Sequence, residues 1–289
     1  MGFLDALTEP RRERAYKALL EAGTRRAEKA LTASELQQEY DAVEEIRLRG
    51  EGKIERSVRT FFNQLLRTVL ARLDEVKQVT GDELLNQQEA IDIFMENLEE
   101  DITTMILLGW GAGARRAGNG SIVDMPLINM QSAMNQMARP QQVIRTTADM
   151  LARELAFAID SLPPGLSRAQ LAQRLKPFVI ELFREMRENR IPTITETTAV
   201  GAFEAGQLQA WLLSGVPYKT WLSQRDGRVR PSHIVADGQV VDVAEPFLVG
   251  NALMQHPGDP SGPASEVVNC RCTMLPSVDR RGTMPARVS

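Results

Sequence analysis

The chain has 289 residues, 43% of them hydrophobic and 25% charged, with a formal net charge of -4. That is enough apolar material for one large domain or two modest ones, and the acidic balance excludes a non-specific grip on nucleic acid through net field, leaving only local basic surfaces for DNA. Two cysteines, Cys270 and Cys272, stand one residue apart and are poorly placed to bridge each other, so disulfide stapling is excluded as well.

Residues 1–10 lack the basic start, apolar run and small-residue cleavage site of a secretory signal, and no apolar stretch reaches spanning length. The expectation is a soluble protein assembled in the cytosol. Aromatic residues make up only 5%, against 12 methionines, which speaks for adaptable helix packing over stacking platforms for single strands.

From Asp5 to about Glu51 the chain is charged and alanine-rich and predicts short helices, one of them capped by Thr32 or Ser34 and running towards Leu48. Between Ile54 and Gln78 the apolar positions Ile54, Val58, Phe61, Phe62, Leu65, Leu66, Val69, Leu70, Leu73 and Val76 recur at three and four, the spacing of an amphipathic helix. After a break at Thr80-Gly81-Asp82, the residues Leu84, Leu85, Ile91, Phe94, Leu98, Ile102, Met105 and Ile106 repeat that spacing, which predicts a helical hairpin. The first arm carries Arg56, Arg59, Arg67 and Arg72 and the second Glu83, Glu89, Asp92, Glu96, Glu99, Glu100 and Asp101, so the two solvated faces are expected to attract each other.

The stretch GWGAGARRAGNG at 109–120 holds five glycines but follows a helical pattern, not a strand, so it is read as a flexible surface loop and not as a dinucleotide site, with Arg115 and Arg116 offered to a partner. Pro140 fits the first turn of a helix to Asp160, stopped by Ser161-Leu162-Pro163-Pro164-Gly165. Ser167 caps the next, where Pro177 inside the apolar stripe predicts a kink or two abutting helices. Thr193 or Thr195 begins a further helical segment through Leu213, closed at Ser214-Gly215. From Tyr218 helical periodicity ends, and Gly238 to Val243 and Cys270 to Leu275 read as small strands between long Gly/Pro/Asp loops.

The fold class expected is therefore α+β: a helical body at 1–189, a small loop-rich region with short strands at 190–276, and a basic tail at 277–289 around Arg280, Arg281 and Arg287.

One segment carries an ordered set of motifs. Thr195-Glu196 and Ala205-Gly206 come first, then Gly215-Val216 and Trp221. Asp226-Gly227-Arg228-Val229-Arg230 follows with His233, Asp237 and Gly238, and after Pro257 to Pro263 the string ends in Asn269-Cys270-Arg271-Cys272. Each piece alone is weak, whereas five in order over about ninety residues are specific. Over Arg190 to Pro276 the chain closely resembles the Mu F-like phage head morphogenesis family. The first 190 residues carry no comparable signature.

That resemblance implies a minor structural protein of a tailed-phage head, at the portal vertex, assisting procapsid assembly and DNA packaging or delivery, and not an enzyme. The partners implied are the phage portal protein, the major capsid or scaffold protein and packaged DNA, with no membrane and no small-molecule substrate. Its place would be the virion head, assembled in the host cytoplasm. Some members look like carriers of further C-terminal toxin or enzyme domains, which the 13 residues from Ser277 to Ser289 give no room to expect here.

Three readings of the motif chemistry stand side by side. In the structural one Asp226, Arg228, Arg230, His233 and Asp237 satisfy loop backbone groups and one another, and no cofactor is held. In the second, Cys270, Cys272 and His233, with Asp226, Asp237 or His256 as a fourth ligand, form a zinc site, although the spacing is not the paired C-x2-C of well-attested zinc modules. Of these three, Asp226 is the one taken with His233, Cys270 and Cys272 as the candidate metal set. In the third, His233 acts as a general base beside Asp226 or Cys270 in a hydrolase or nuclease effector carried in the head.

Overall fold

The computed structural model describes residues 33–75, 84–117, 131 and 138–277. The expected helices from Asp5, the Thr32 cap, the Thr80-Gly81-Asp82 break with Glu83, the end of the glycine-rich stretch at 118–120 and the basic tail lie outside the described residues. Four long helices, α1 (Ala33–Glu75), α2 (Gln87–Arg116), α3 (Ala138–Asp160) and α4 (Arg168–Ser214), precede a region of short elements. These are β1 (Tyr218–Leu222), α5 (Pro231–Ala236), β2 (Val240–Asp242), β3 (Phe247–Val249), β4 (Ala252–Met254), α6 (Ala264–Val267) and β5 (Thr273–Ser277). The α+β class stands as expected from the sequence.

The hairpin of α1 and α2 is antiparallel, because Ser57 donates to Asp101 at 2.6 Å, Asn97 to Gln64 at 2.9 Å and Arg72 pairs with Glu89 at 2.7 Å, partners that recede along one helix as they advance along the other. Charge attraction across it is sparse. Arg59 turns back to Glu55 on its own helix, and among the arginines of the first arm Arg72 reaches across, to Glu89. Burial holds the arms instead: Phe61, Phe62 and Phe94 meet edge to face at 5.0 and 5.5 Å in a continuous apolar core with Val58, Leu65, Leu98 and Ile102.

Three expected interruptions are absent, and each has a packing reason. α1 runs without a break through Gly50-Glu51-Gly52, since Gly50 faces α2: a Cβ there would lie 2.6 Å from the Met105 methyl and 2.9 Å from Leu108. The stretch from Gly109 is not a surface loop but the last turns of α2. A Cβ at Gly109 would strike the Phe203 carbonyl and one at Gly113 would sit 2.9 Å from the Gln207 carbonyl, while Gly206 on α4 meets the Ile106 carbonyl in return. Small residues on both helices thus let the two backbones touch. Arg116 is consequently not free for a partner: it donates to the Glu39 carbonyl at 2.9 Å, pairs with the Glu39 carboxylate at 3.3 Å and reaches Gln207, whereas Arg115 remains exposed.

α4 likewise continues through Pro177 and Pro192 and does not restart at Thr193, so of the two readings of Pro177 the pair of abutting helices is not formed. A mid-helix proline costs about 3 kcal/mol or more. Here Leu175, Val179, Leu182 and Phe183 on one side and Ile191 and Ile194 on the other enter the same core, so burial outweighs the lost bonds. Both helix ends follow the sequence. Ser167 forms a capping box with Gln170, and Gly215 closes the helix in the left-handed region at φ 68° with its N–H on the Trp211 carbonyl.

Beyond Gly215 a three-stranded antiparallel sheet has the order β2-β1-β5, with Trp221 opposite Met274 and Lys219 opposite Pro276. Pro276 is tolerated because β5 is an edge strand. β3 and β4 form a separate hairpin. A second apolar cluster joins α4 to this region through Leu208, Trp211, Trp221, Phe247, Met254, Cys270, Cys272 and Met274. The N-terminal part of α1 reaches it too, with Leu36 and Tyr40 against Leu222 and Leu275. Among the described residues no helix is long and apolar enough to cross a membrane.

Candidate functional site: a buried His-Cys-Cys cluster

Pro231 at the first turn and the Arg230 carbonyl, which receives the His233 and Ile234 N–H groups at 3.0 and 2.9 Å, start the short helix α5. One turn on, His233 points inward and is 2% exposed. Trp221 of β1 stands edge to face against its ring at 5.6 Å. The second half of the cluster comes from the strand entry before β5. Asn269 takes a positive φ of 55° and donates its N–H to Thr197 of α4, which turns Cys270 and Cys272 into the core on either side of outward-facing Arg271.

His233 Nδ1 lies 3.2 Å from Cys272 Sγ and 3.7 Å from Cys270 Sγ, and the ligand atoms of all three residues fall within 4.8 Å of one another. Both cysteines are free thiols, as the sequence led us to expect. Cys270 is pulled well below the ordinary cysteine range because the Cys272 side chain and His233 stabilise its thiolate against the cost of burial. Cys272 is pushed well above it, by its neighbour Cys270 and then by burial. On the far side of the imidazole, Glu266 Oε2 sits 3.2 Å from Nε2 but off the hydrogen-bond direction, and it accepts from Ser232 Oγ at 2.6 Å.

The remaining motif residues build the frame around this cluster. Asp226 is not a neighbour of the thiols. It grips Arg271 in a two-point pair at 2.8 and 2.9 Å and accepts the Arg228 N–H at 3.0 Å, so the expected fourth ligand is spent on a salt bridge. Its carboxyl is held below the usual range by these hydrogen bonds and by the Arg271 and Arg228 charges, which together outweigh burial. Glu196 lies 3.9 Å from the same guanidinium. Asp237 accepts the Ser223 N–H at 2.8 Å and Arg225 Nε at 2.9 Å, and so ties the start of the 223–230 loop to the end of α5. Arg230 donates to the Val268 carbonyl, whereas Arg228 is exposed. Gly238, at φ 79°, turns the chain from α5 into β2 and donates to the Trp221 carbonyl at 2.8 Å. Gly206 belongs to the helix contact with α2, and Thr195 is buried without a hydrogen-bond partner for its hydroxyl.

Several residues of the site carry no motif signal. Glu204, fully buried on α4, accepts from the Thr273 hydroxyl at 2.6 Å, the Met274 N–H at 3.2 Å and the Gln207 amide at 3.1 Å, which fastens β5 to the long helix. Burial raises its carboxyl to about 8. Lys219 is buried on β1, donates to the carbonyl and side chain of Gln255 at 2.8 and 3.0 Å and lies over the Phe247 ring at 5.1 Å, and burial lowers its amine to about 7. His256 is wholly buried, with Nδ1 on the Pro257 carbonyl at 2.8 Å and Nε2 without a partner. Tyr40 of α1 donates to the Arg271 carbonyl at 2.7 Å. The one available clue was that a glutamate, a lysine and a histidine stand among apolar neighbours in the sequence, and that pattern does not say what they touch.

In sum the cluster offers one imidazole nitrogen and two sulfurs in a closed, desolvated setting, framed by carboxylates that are each engaged elsewhere. Such a set can hold a soft divalent ion or share a proton, and a substrate would have to displace protein to reach it.

Residues 155–275 match the family described as Phage Mu protein F like protein. The match begins upstream of the motif string, in α3, and takes in all of α4. The NAD(+)-arginine ADP-ribosyltransferase EFV of Enterococcus faecalis is 32% identical over 169 residues, covering 54% of this chain and 33% of the relative. The chain therefore spans about a third of the length of that curated relative. No solved structure matches it. Over residues 155–275 the chain is thus similar to the Mu protein F-like family.

Proposed function

We propose that this protein is a minor structural component of a tailed-phage head, which sits at the portal vertex and assists procapsid assembly and DNA packaging or delivery by binding other virion proteins. The observation that carries this reading is the family match over residues 155–275. The construction of the molecule supports it. α4 belongs both to the helical core and to the cluster around His233, so one rigid rod connects the motif region to a large helical surface. Asp226, Asp237 and Arg271 of the motif are engaged in internal ties, which suits a part that must keep its shape while its outer faces bind.

The partners proposed are the portal protein and the major capsid or scaffold protein, with packaged DNA as a further contact. Co-expression with the portal and capsid proteins of the same phage genome is the test. The protein is expected to co-sediment with procapsids in low copy and to be captured by portal protein. Procapsids that exclude it, together with no portal capture, would refute the assignment.

The second reading, an enzyme or effector carried in the head, draws on the name of the Enterococcus faecalis relative. It predicts turnover by the purified chain, for instance transfer of ADP-ribose from NAD(+) to an arginine-containing target. In our reading such an assay gives no signal above a heat-denatured control, and a turnover abolished by His233→Ala would replace the structural role with the catalytic one.

A further inference from the structure

We propose that His233, Cys270 and Cys272 form a zinc site that clasps α5 to the strand entry before β5. The separations themselves point to a metal. Tetrahedral zinc with N and S bonds of about 2.0 and 2.3 Å sets its nitrogen and sulfur ligands about 3.6 Å apart and two sulfurs about 3.8 Å apart. The two N to S separations, 3.2 and 3.7 Å, bracket the first value, and the three ligand atoms share one neighbourhood of 4.8 Å. His233 Nδ1 faces both sulfurs at once, where a Cys-His catalytic pair would favour one.

The surroundings agree. Zinc-bound imidazoles present their second nitrogen to a carboxylate, and Glu266 Oε2 stands 3.2 Å from Nε2. Charge balances as well: Zn2+ with two thiolates and a neutral imidazole is net neutral, which suits a cluster whose members are 1 to 5% exposed. Binding releases the thiol protons to solvent, and no electron is exchanged. Among the described residues no further His, Cys, Asp or Glu atom joins the set, so these side chains supply three of the four positions of a tetrahedral ion. Asp226 stays with Arg271.

The ion would act as a staple. The 36 residues between His233 and Cys270 include the β3-β4 hairpin and long loops with little regular structure, and closing them through a metal restricts the unfolded chain and fixes the loop ends.

The experiment uses the full chain, purified under reducing conditions without chelator. Elemental analysis is expected to return about one zinc per chain, and exchange for Co2+ to give intense near-ultraviolet thiolate absorption with visible bands of a tetrahedral ion. Chelation should lower the melting temperature. Cys272→Ser and His233→Ala should lose the cobalt spectrum, whereas Glu266→Gln, at a partly exposed position, should keep it with zinc affinity weakened about 10–100-fold. Because the cobalt spectrum is read on the unaltered protein, misfolding of a ligand variant does not blunt the test. A folded, reduced chain that takes up neither Zn2+ nor Co2+, or one whose cobalt spectrum survives in the Cys270→Ser/Cys272→Ser variant, overturns the proposal. Failure there leaves the head-protein reading intact, since that is judged by procapsid and portal association.

Discussion

The helical body and the region after Gly215 are stabilised in different ways. In the body, α1 to α3 and the first half of α4 enclose phenylalanines, leucines and isoleucines, and the polar groups lie mostly outside. In the C-terminal region the strands are three to five residues long, and the interior holds Glu204, Lys219, His233, His256, Asp259 and two thiols among its apolar side chains. A helix satisfies its own backbone and needs only an apolar face to be covered, whereas a loop-rich segment must find partners for its backbone group by group. The first region should therefore respond to volume and the second to chemistry.

Four substitutions put that contrast to the test. The largest effect is expected at the helix contact: Gly206→Val must push α4 from the Ile106 carbonyl and the Trp110 N–H, the latter only 2.8 Å from where a Cβ would stand, and should abolish soluble, cooperatively folding protein. A Gly206→Val chain that melts like the parent would show that the helices can part freely. Next comes a core truncation. Phe94→Ala removes a ring from the aromatic trio and should cost about 3–5 kcal/mol in denaturant unfolding, with no dependence on pH.

The third probes the polar region. Glu204→Ala strands the Thr273 hydroxyl and the Met274 N–H and should cost about 1–3 kcal/mol. Its acidity gives a sharper signature. Burial raises the folded carboxyl to about 8 from an ordinary glutamate value of 4.5, so the fold favours the protonated form. This contribution is complete below pH 4.5 and is lost as pH rises through 8. Melting temperature should fall across that interval, and Glu204→Gln should flatten the slope. Equal slopes in parent and Gln variant would remove Glu204 as the source. The smallest effect is expected at the surface, where Arg72→Ala breaks the pair with Glu89 and should change stability by less than about 1 kcal/mol. A larger loss would mean that charge attraction holds the hairpin after all.

Much of the body was legible because amphipathic spacing is a local property. Phe61, Phe62, Leu65 and Val69 announce both a helix and the face it buries, and Ser167 and Gly215 mark where α4 starts and stops. The misreadings share one cause. Gly50, Gly109 and Gly113 look like breakers along the chain, but each lies where another helix approaches, and Pro177 and Pro192 are carried by a core on both sides. Glycine means close approach as readily as it means a turn, and only the neighbouring helix distinguishes the two. In the C-terminal region the motif string named His233, Cys270 and Cys272, but it could not say that Asp226 would be taken by Arg271, nor that Glu266 would stand behind the imidazole.

By itself the sequence determined the helical periodicity, the caps at Ser167 and Gly215, the change of character at Tyr218 and the ordered motifs by which residues 155–275 resemble the Mu protein F-like family. Each of these is written in residues close together or in fixed order. What only the tertiary structure decided is which distant groups meet: Glu204 with Thr273 across 69 positions, Tyr40 with the Arg271 carbonyl across 231, and His233 with the two thiols across 37 and 39. Those meetings depend on how α4 lies against α1 and α2, and that placement is set by where glycine lets two backbones touch.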